Sequence, residues 1–126
     1  MNCPLNDETR KLIGARQLAL MKPTAFFINT ARGPIVDEKA LCEALTGNRI
    51  AGAAIDVFEQ EPTPADNPLL KLDNIIVTPH HICVTDQCID TVAAGVFSAC
   101  RDLANGRVPR NVVNQQVLGR VPYFHA

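Results

Sequence analysis

Phe26-Phe27-Ile28-Asn29-Thr30-Ala31-Arg32-Gly33-Pro34-Ile35-Val36-Asp37 opens as an apolar run of strand character, breaks at a Gly-Pro pair and restarts as a helix behind Asp37. The run from Ala25 to Asn29 is short and does not alternate, the pattern of a strand covered by helices on both faces of a parallel sheet. Asp37 is a good N-cap, Ala40, Leu41, Ala44 and Leu45 share one helical face, and Gly47 closes the helix. A second apolar strand follows, Ala51-Gly52-Ala53-Ala54-Ile55, ending on Asp56, and its small residues suggest close approach of a helix or ligand. Glu59 to Asn67 is a loop punctuated by Pro62 and Pro64, and Pro68 to Leu72 suits one short helical turn. Ile75-Ile76-Val77-Thr78 is a third strand, stopped by Pro79 ahead of His80 and His81.

Upstream, Asn6 is a plausible cap for a helix from Asp7 to about Ile13, closed by Gly14, and a second helical piece runs from about Ala15 to Met21 before Pro23. Downstream, Thr85 or Asp86 caps the longest helix, 85–106, with Cys88, Val92, Val96 and Leu103 at near-helical spacing. The last twenty residues, 107–126, read as an arm or tail. Strand, helix, strand, strand, with every strand apolar throughout, predicts an α/β fold: a partial doubly wound parallel sheet flanked by helices.

Composition sets further bounds. Twelve Lys and Arg against thirteen Asp and Glu leave no basic footprint for nucleic acid. No apolar run reaches membrane-spanning length, and Met1-Asn2-Cys3-Pro4 lacks the layout of a signal peptide. The five cysteines are scattered, odd in number and never spaced Cys-x-x-Cys, so neither a disulfide framework nor a metal site is expected. A cytoplasmic protein with reduced thiols fits best.

In doubly wound sheets ligands bind beyond the carboxyl ends of the strands. Those ends carry Asn29-Thr30-Ala31-Arg32, then Asp56, then His80. Arg32 offers a planar fork for a carboxylate and a fixed charge to polarise a carbonyl. His80 can exchange a proton near neutral pH, and Glu61 could orient its ring. Together they are what reduction of a 2-keto acid requires, with Asp56 left to accept a hydrogen bond from a carboxamide. Plainer roles stand beside these: a solvated or salt-bridged Arg32, an exposed Glu61, a packing His80, and an Asp56 that caps a strand.

Residues 21–37 resemble the long signature of the D-isomer-specific 2-hydroxyacid dehydrogenases. Ala53-Ala54-Ile55-Asp56-Val57-Phe58-Glu59-Gln60-Glu61-Pro62 is similar to that family's second block. Asn67-Pro68-Leu69-Leu70 with Asn74-Ile75-Ile76-Val77-Thr78-Pro79-His80 is similar to its third, and Cys3-Pro4-Leu5 through Leu12-Ile13-Gly14 to the segment before the signature. The resemblance covers roughly residues 2 to 114. It implies a Rossmann-like domain over 1–106 and an arm over 107–126 returning towards a substrate domain. It also implies NAD or NADP as cofactor, a small 2-keto or 2-hydroxy acid as substrate, and a homo-oligomer.

By resemblance Arg32 binds the substrate carboxylate and carbonyl, His80 is the general acid or base, and Glu61 holds its imidazole. Cys3, Thr30 and Ala31 would line the cofactor, Asp56 would hold its carboxamide, and Arg32, His80 and Cys83 would complete its nicotinamide side. Two departures stand out. His81-Ile82-Cys83 follow His80 where the family has a small residue, and no Gly-x-Gly-x-x-Gly loop is present to hold a pyrophosphate. The chain therefore reads as the carboxyl half of an NAD(P)-dependent dehydrogenase, or else as an inactive remnant or interaction module of that family.

Overall fold

The structure, a computed structural model, describes residues 1–120. The expected arm over 107–126 thus lies partly outside the described residues. The chain divides into two compact units, Met1–Ile82 and Cys83–Ala126.

The first unit is built on three parallel strands in the order β1 (Phe26–Asn29), β2 (Gly52–Ile55) and β3 (Ile75–Val77). Phe27 lies beside Ala53, and Ala53 beside Ile75. This is the parallel order the apolar runs predict. Helix α1 (Ala15–Ala19) and helix α2 (Glu38–Thr46) pack on each other. Leu18 of α1, Leu41 and Leu45 of α2, and Phe27, Ala53 and Ile55 of the sheet form one core with Ile50, Phe58 and Leu69. Asp37 caps α2 by accepting the Ala40 N–H at 3.1 Å.

Two expectations are corrected. Within the first unit the strands are covered on one face only: Phe26 is 70% exposed, Ile28 55% and Ile76 70%, whereas Phe27 and Ile55 are buried. The segment after Asn6 is a turn rather than a helix. The Asn6 side chain accepts the N–H groups of Glu8 and Thr9 as a cap should. Lys11 then turns to φ 52° and donates to Pro34 O, and Ile13 bridges in parallel with Val36. Pairing along residues 34–37 satisfies the backbone groups that a further helical turn would have used.

In the second unit α3 (Asp86–Ala104) starts at Thr85, whose hydroxyl accepts the Cys88 N–H. It ends in a Schellman arrangement: Gly106 at φ 67° donates to Leu103 O and Arg107 donates to Asp102 O. The Arg107 guanidinium also pairs with the Asp102 carboxylate at 3.1 Å. No residue of α3 is buried.

Candidate functional site

The three strands of the first unit end on one edge, and the polar residues at their tips shape the backbone before they offer any chemistry. At the end of β1 Asn29 is buried. Its Oδ1 accepts the Ala31 N–H at 3.1 Å and its Nδ2 donates to Arg32 O at 3.0 Å, so one side chain stitches the turn that leaves the strand. Arg32 is extended at φ −150° and exposed. One of its five guanidinium donors is spent on Ala31 O at 2.6 Å. Among the described residues the others meet no hydrogen-bond partner and can take an anion.

At the end of β2 Asp56 is 2% exposed and is ringed by donors from the segment after β3. Oδ1 accepts the Thr78 hydroxyl at 2.5 Å and the His81 N–H at 2.8 Å; Oδ2 accepts the Ile82 N–H at 3.1 Å. Burial works to raise its carboxyl, but these three donors and the charge of His80 outweigh it and hold Asp56 below its ordinary 3.8. Between them sits His80 at φ 56°, a left-handed backbone that a non-glycine residue adopts only when its surroundings insist. Asp56 supplies that insistence by gripping the two N–H groups that follow.

His80 faces Glu61 across the cleft edge, with Nδ1 and Oε2 2.8 Å apart. The other Glu61 oxygen accepts the Phe58 N–H at 2.9 Å, which fixes the carboxylate's direction. Partial desolvation works to raise Glu61, and the His80 hydrogen bond, the Phe58 N–H and the charges of His80 and Arg32 together bring it below its ordinary 4.5. The Arg32 charge is the smallest of these influences on Glu61. With Nδ1 engaged by Glu61, Nε2 is the nitrogen left to a second partner.

Two cavities flank these groups. One, of about 610 Å³, is lined by Asn2, Cys3, Pro4 and Leu5 on one side and Thr30, Ala31 and Arg32 on the other. The second, of about 570 Å³, is lined by Phe58, Glu61, Pro62, Thr63, Pro79 and His80. Both fall in the range of small-molecule sites. The structure thus pairs Glu61 with His80, and it sets Cys3, Thr30 and Ala31 around a cavity shared with Arg32. Asp56 sits at its strand tip with three internal donors, and Cys83 is exposed at the start of the second unit. His81 is exposed, its ring nitrogen against Pro79 O. The sequence assigns no role to Asn29 or Thr78; an Asn ending an apolar strand and a Thr two residues before the histidine were the signals available. Among the described residues no group of three metal-ligating side chains is gathered, and no helix is long and apolar enough to cross a membrane.

Residues 1–81 match the profile of the D-isomer specific 2-hydroxyacid dehydrogenase family, NAD binding domain. The glyoxylate reductase of Korarchaeum cryptofilum is 45% identical over 94% of this chain and 36% of its own length. The D-lactate dehydrogenase of Lactobacillus jensenii, crystallised with NAD+, superposes with a TM-score of 0.83 at 35% identity, over 90% of this chain and 38% of that one. A D-isomer specific 2-hydroxyacid dehydrogenase from Xanthobacter autotrophicus Py2, crystallised with NADPH, gives 0.77 at 42% identity over 91% and 47%. The chain spans about a third of the length of the curated relatives it matches.

Proposed function

Because this chain belongs to the D-isomer specific 2-hydroxyacid dehydrogenase family, we propose that it carries the catalytic side of an NAD(P)-dependent interconversion of 2-keto acids and D-2-hydroxy acids. The observation that supports this most is the Glu61–His80 pair at 2.8 Å within reach of the Arg32 charge. The dinucleotide fits in part. The cavity lined by Cys3, Thr30, Ala31 and Arg32 lies beyond the carboxyl end of β1, where doubly wound sheets take nucleotides. The sequence holds no glycine loop for the pyrophosphate. Cys3, Thr30, Ala31, Arg32 and His80 would hold the nicotinamide end, and a carboxylate's fourth lone pair leaves Asp56 one site for its amide. When bound, the cofactor supplies or accepts hydride at the substrate's second carbon.

The chain's own residues do the rest. Arg32 takes the substrate carboxylate through two parallel N–H···O bonds and draws charge from the adjacent carbonyl. His80 holds a proton on Nε2 and gives it to the carbonyl oxygen in reduction, taking it back in oxidation. Glu61 keeps Nδ1 protonated and so keeps Nε2 aimed outward. We place the protein in the cytosol as a homo-oligomer. Five free thiols support the first, and the exposed Val92, Val96 and Phe97 of α3 support the second. The same exposed residues favour a second reading, an interaction module without turnover.

An NMR titration of the chain with NADH and NADPH, joined to assays with glyoxylate, hydroxypyruvate and pyruvate, separates the two. The expected result is weak binding that moves the amides of Cys3, Thr30 and Ala31, with slow or no turnover. In any preparation that turns over, His80→Ala lowers kcat by about 10²- to 10⁴-fold. Robust turnover by the bare chain would overturn the half-site reading. Self-association with no response at those amides favours the module.

A further inference from the structure

Glu61 stands in the loop from Glu59 to Asn67, which contains Pro62 and Pro64 and is followed by Pro68, and something other than regular structure must hold it against His80. Glu38, the first residue of α2, reaches both ends of that loop. Its Oε2 accepts the Glu59 N–H at 2.8 Å, and its Oε1 accepts Asn67 Nδ2 at 2.6 Å. The Glu38 N–H in turn donates to Glu59 Oε1 at 2.9 Å, closing a reciprocal pair. Asn67 is fixed from its other side, since its Oδ1 accepts the Leu69 N–H at 3.0 Å at the start of the turn Pro68–Lys71. Lys11 lies 3.8 Å from Glu59 Oε1 and 3.4 Å from Asp37 Oδ2, which offsets the negative charge collected there.

We infer that Glu38 is a positioning residue for the Glu61–His80 pair: its one carboxylate ties residues 59 and 67 to the start of α2 and so sets where the Glu61 carboxylate stands. The inference rests on the catalytic role proposed above for that pair. Glu38 touches neither His80 nor the groups proposed to meet substrate. It acts through the backbone of Phe58 and Glu59, because the Phe58 N–H is what directs the second oxygen of Glu61. A glutamate at a helix start also favours the helix dipole, and a helix-stabilising role alone would leave the loop indifferent to its loss.

The Glu61 carboxyl reports the difference. The groups that act on it are His80, Arg32 and the Phe58 N–H. Its titration is followed by carbon-detected NMR in the whole chain and in the variants Glu38→Ala, Glu38→Gln, Asp37→Ala and His80→Ala. His80→Ala marks the full upward displacement of the Glu61 midpoint when its partner is lost. Glu38→Ala is expected to reproduce most of that displacement, and Glu38→Gln, which keeps one acceptor oxygen for two donors, a smaller part. Asp37→Ala weakens α2 without freeing the loop and is expected to leave the midpoint in place. If Glu38→Ala does not fold, Glu38→Gln carries the test. A Glu61 midpoint unmoved by the Glu38 change, or moved equally by Asp37→Ala, overturns the inference. Turnover does not enter this readout, so a chain whose Cys3, Thr30 and Ala31 amides ignore NADH and NADPH while its Glu61 still responds to Glu38 would sink the enzymatic proposal and leave the positioning intact.

Discussion

At Gly33 the chain passes so close to Phe58 that an added Cβ would lie 1.9 Å from the Phe58 carbonyl carbon and oxygen, and 2.5 Å from Glu59 N. The contact joins the turn that carries Arg32 to the loop that carries Glu61, backbone to backbone, and nothing in it is a flexible side chain that could yield. Gly33→Ala is therefore expected to cost about 3 kcal/mol or more, at the top of the range for overpacking. Urea unfolding measures it, and a loss under about 1 kcal/mol would show that the two segments separate easily. His80, at φ 56°, is another residue whose backbone is held where it would not go alone. Neither constraint can be read from the letters Gly and His. The sequence flagged Gly33 as a break and His80 as a proton carrier; the neighbour that makes each of them special is more than twenty residues away.

Helix α2 is the element most nearly written in its own sequence. Asp37, the apolar stripe of Ala40, Leu41, Ala44 and Leu45, and Gly47 all do what local chemistry predicts. Asp37→Ala removes the cap to Ala40 and the ion pair with Lys11 at 3.4 Å. It is expected to destabilise the first unit by about 1 kcal/mol, most of it from the cap. Equilibrium urea unfolding of the variant checks this, and an unchanged midpoint would show that packing alone holds the helix start. The turn after Asn6 shows the opposite case. Its cap forms as expected, yet five residues on the chain has left helical geometry, because pairing with Pro34 and Ile35 offers Lys11 and Ile13 partners that no local pattern announces.

Across the whole first unit, Asp37, Asp56 and Glu61 are all held below their ordinary carboxyl values. At Asp37 the Ala40 N–H is the main cause; at Asp56 and Glu61 hydrogen bonds overcome desolvation. A carboxyl depressed in the folded state binds its proton more readily in the unfolded chain. Its contribution is complete above the ordinary values of 3.8 and 4.5 and is lost as pH falls through the lower folded values. Stability of the first unit is thus expected to be flat from pH 7 to about 5 and to decline steadily below. Amide signals of β1, β2 and β3 followed in urea at stepped pH give the curve, and a flat profile down to pH 3 would contradict it.

What the sequence determined by itself is what short-range chemistry fixes: which runs are strands, where proline and glycine end them, which polar residues stand at the strand tips, and so the parallel α/β order and the candidates Arg32, Glu61 and His80. Only the tertiary structure decided which face of the sheet is covered, that Glu61 meets His80 and that Asp56 is taken up by the turn after β3. Those outcomes depend on contacts between segments nineteen to twenty-six residues apart. A hydrogen bond between such segments is set by how the whole core packs, and no stretch of a dozen residues holds that information.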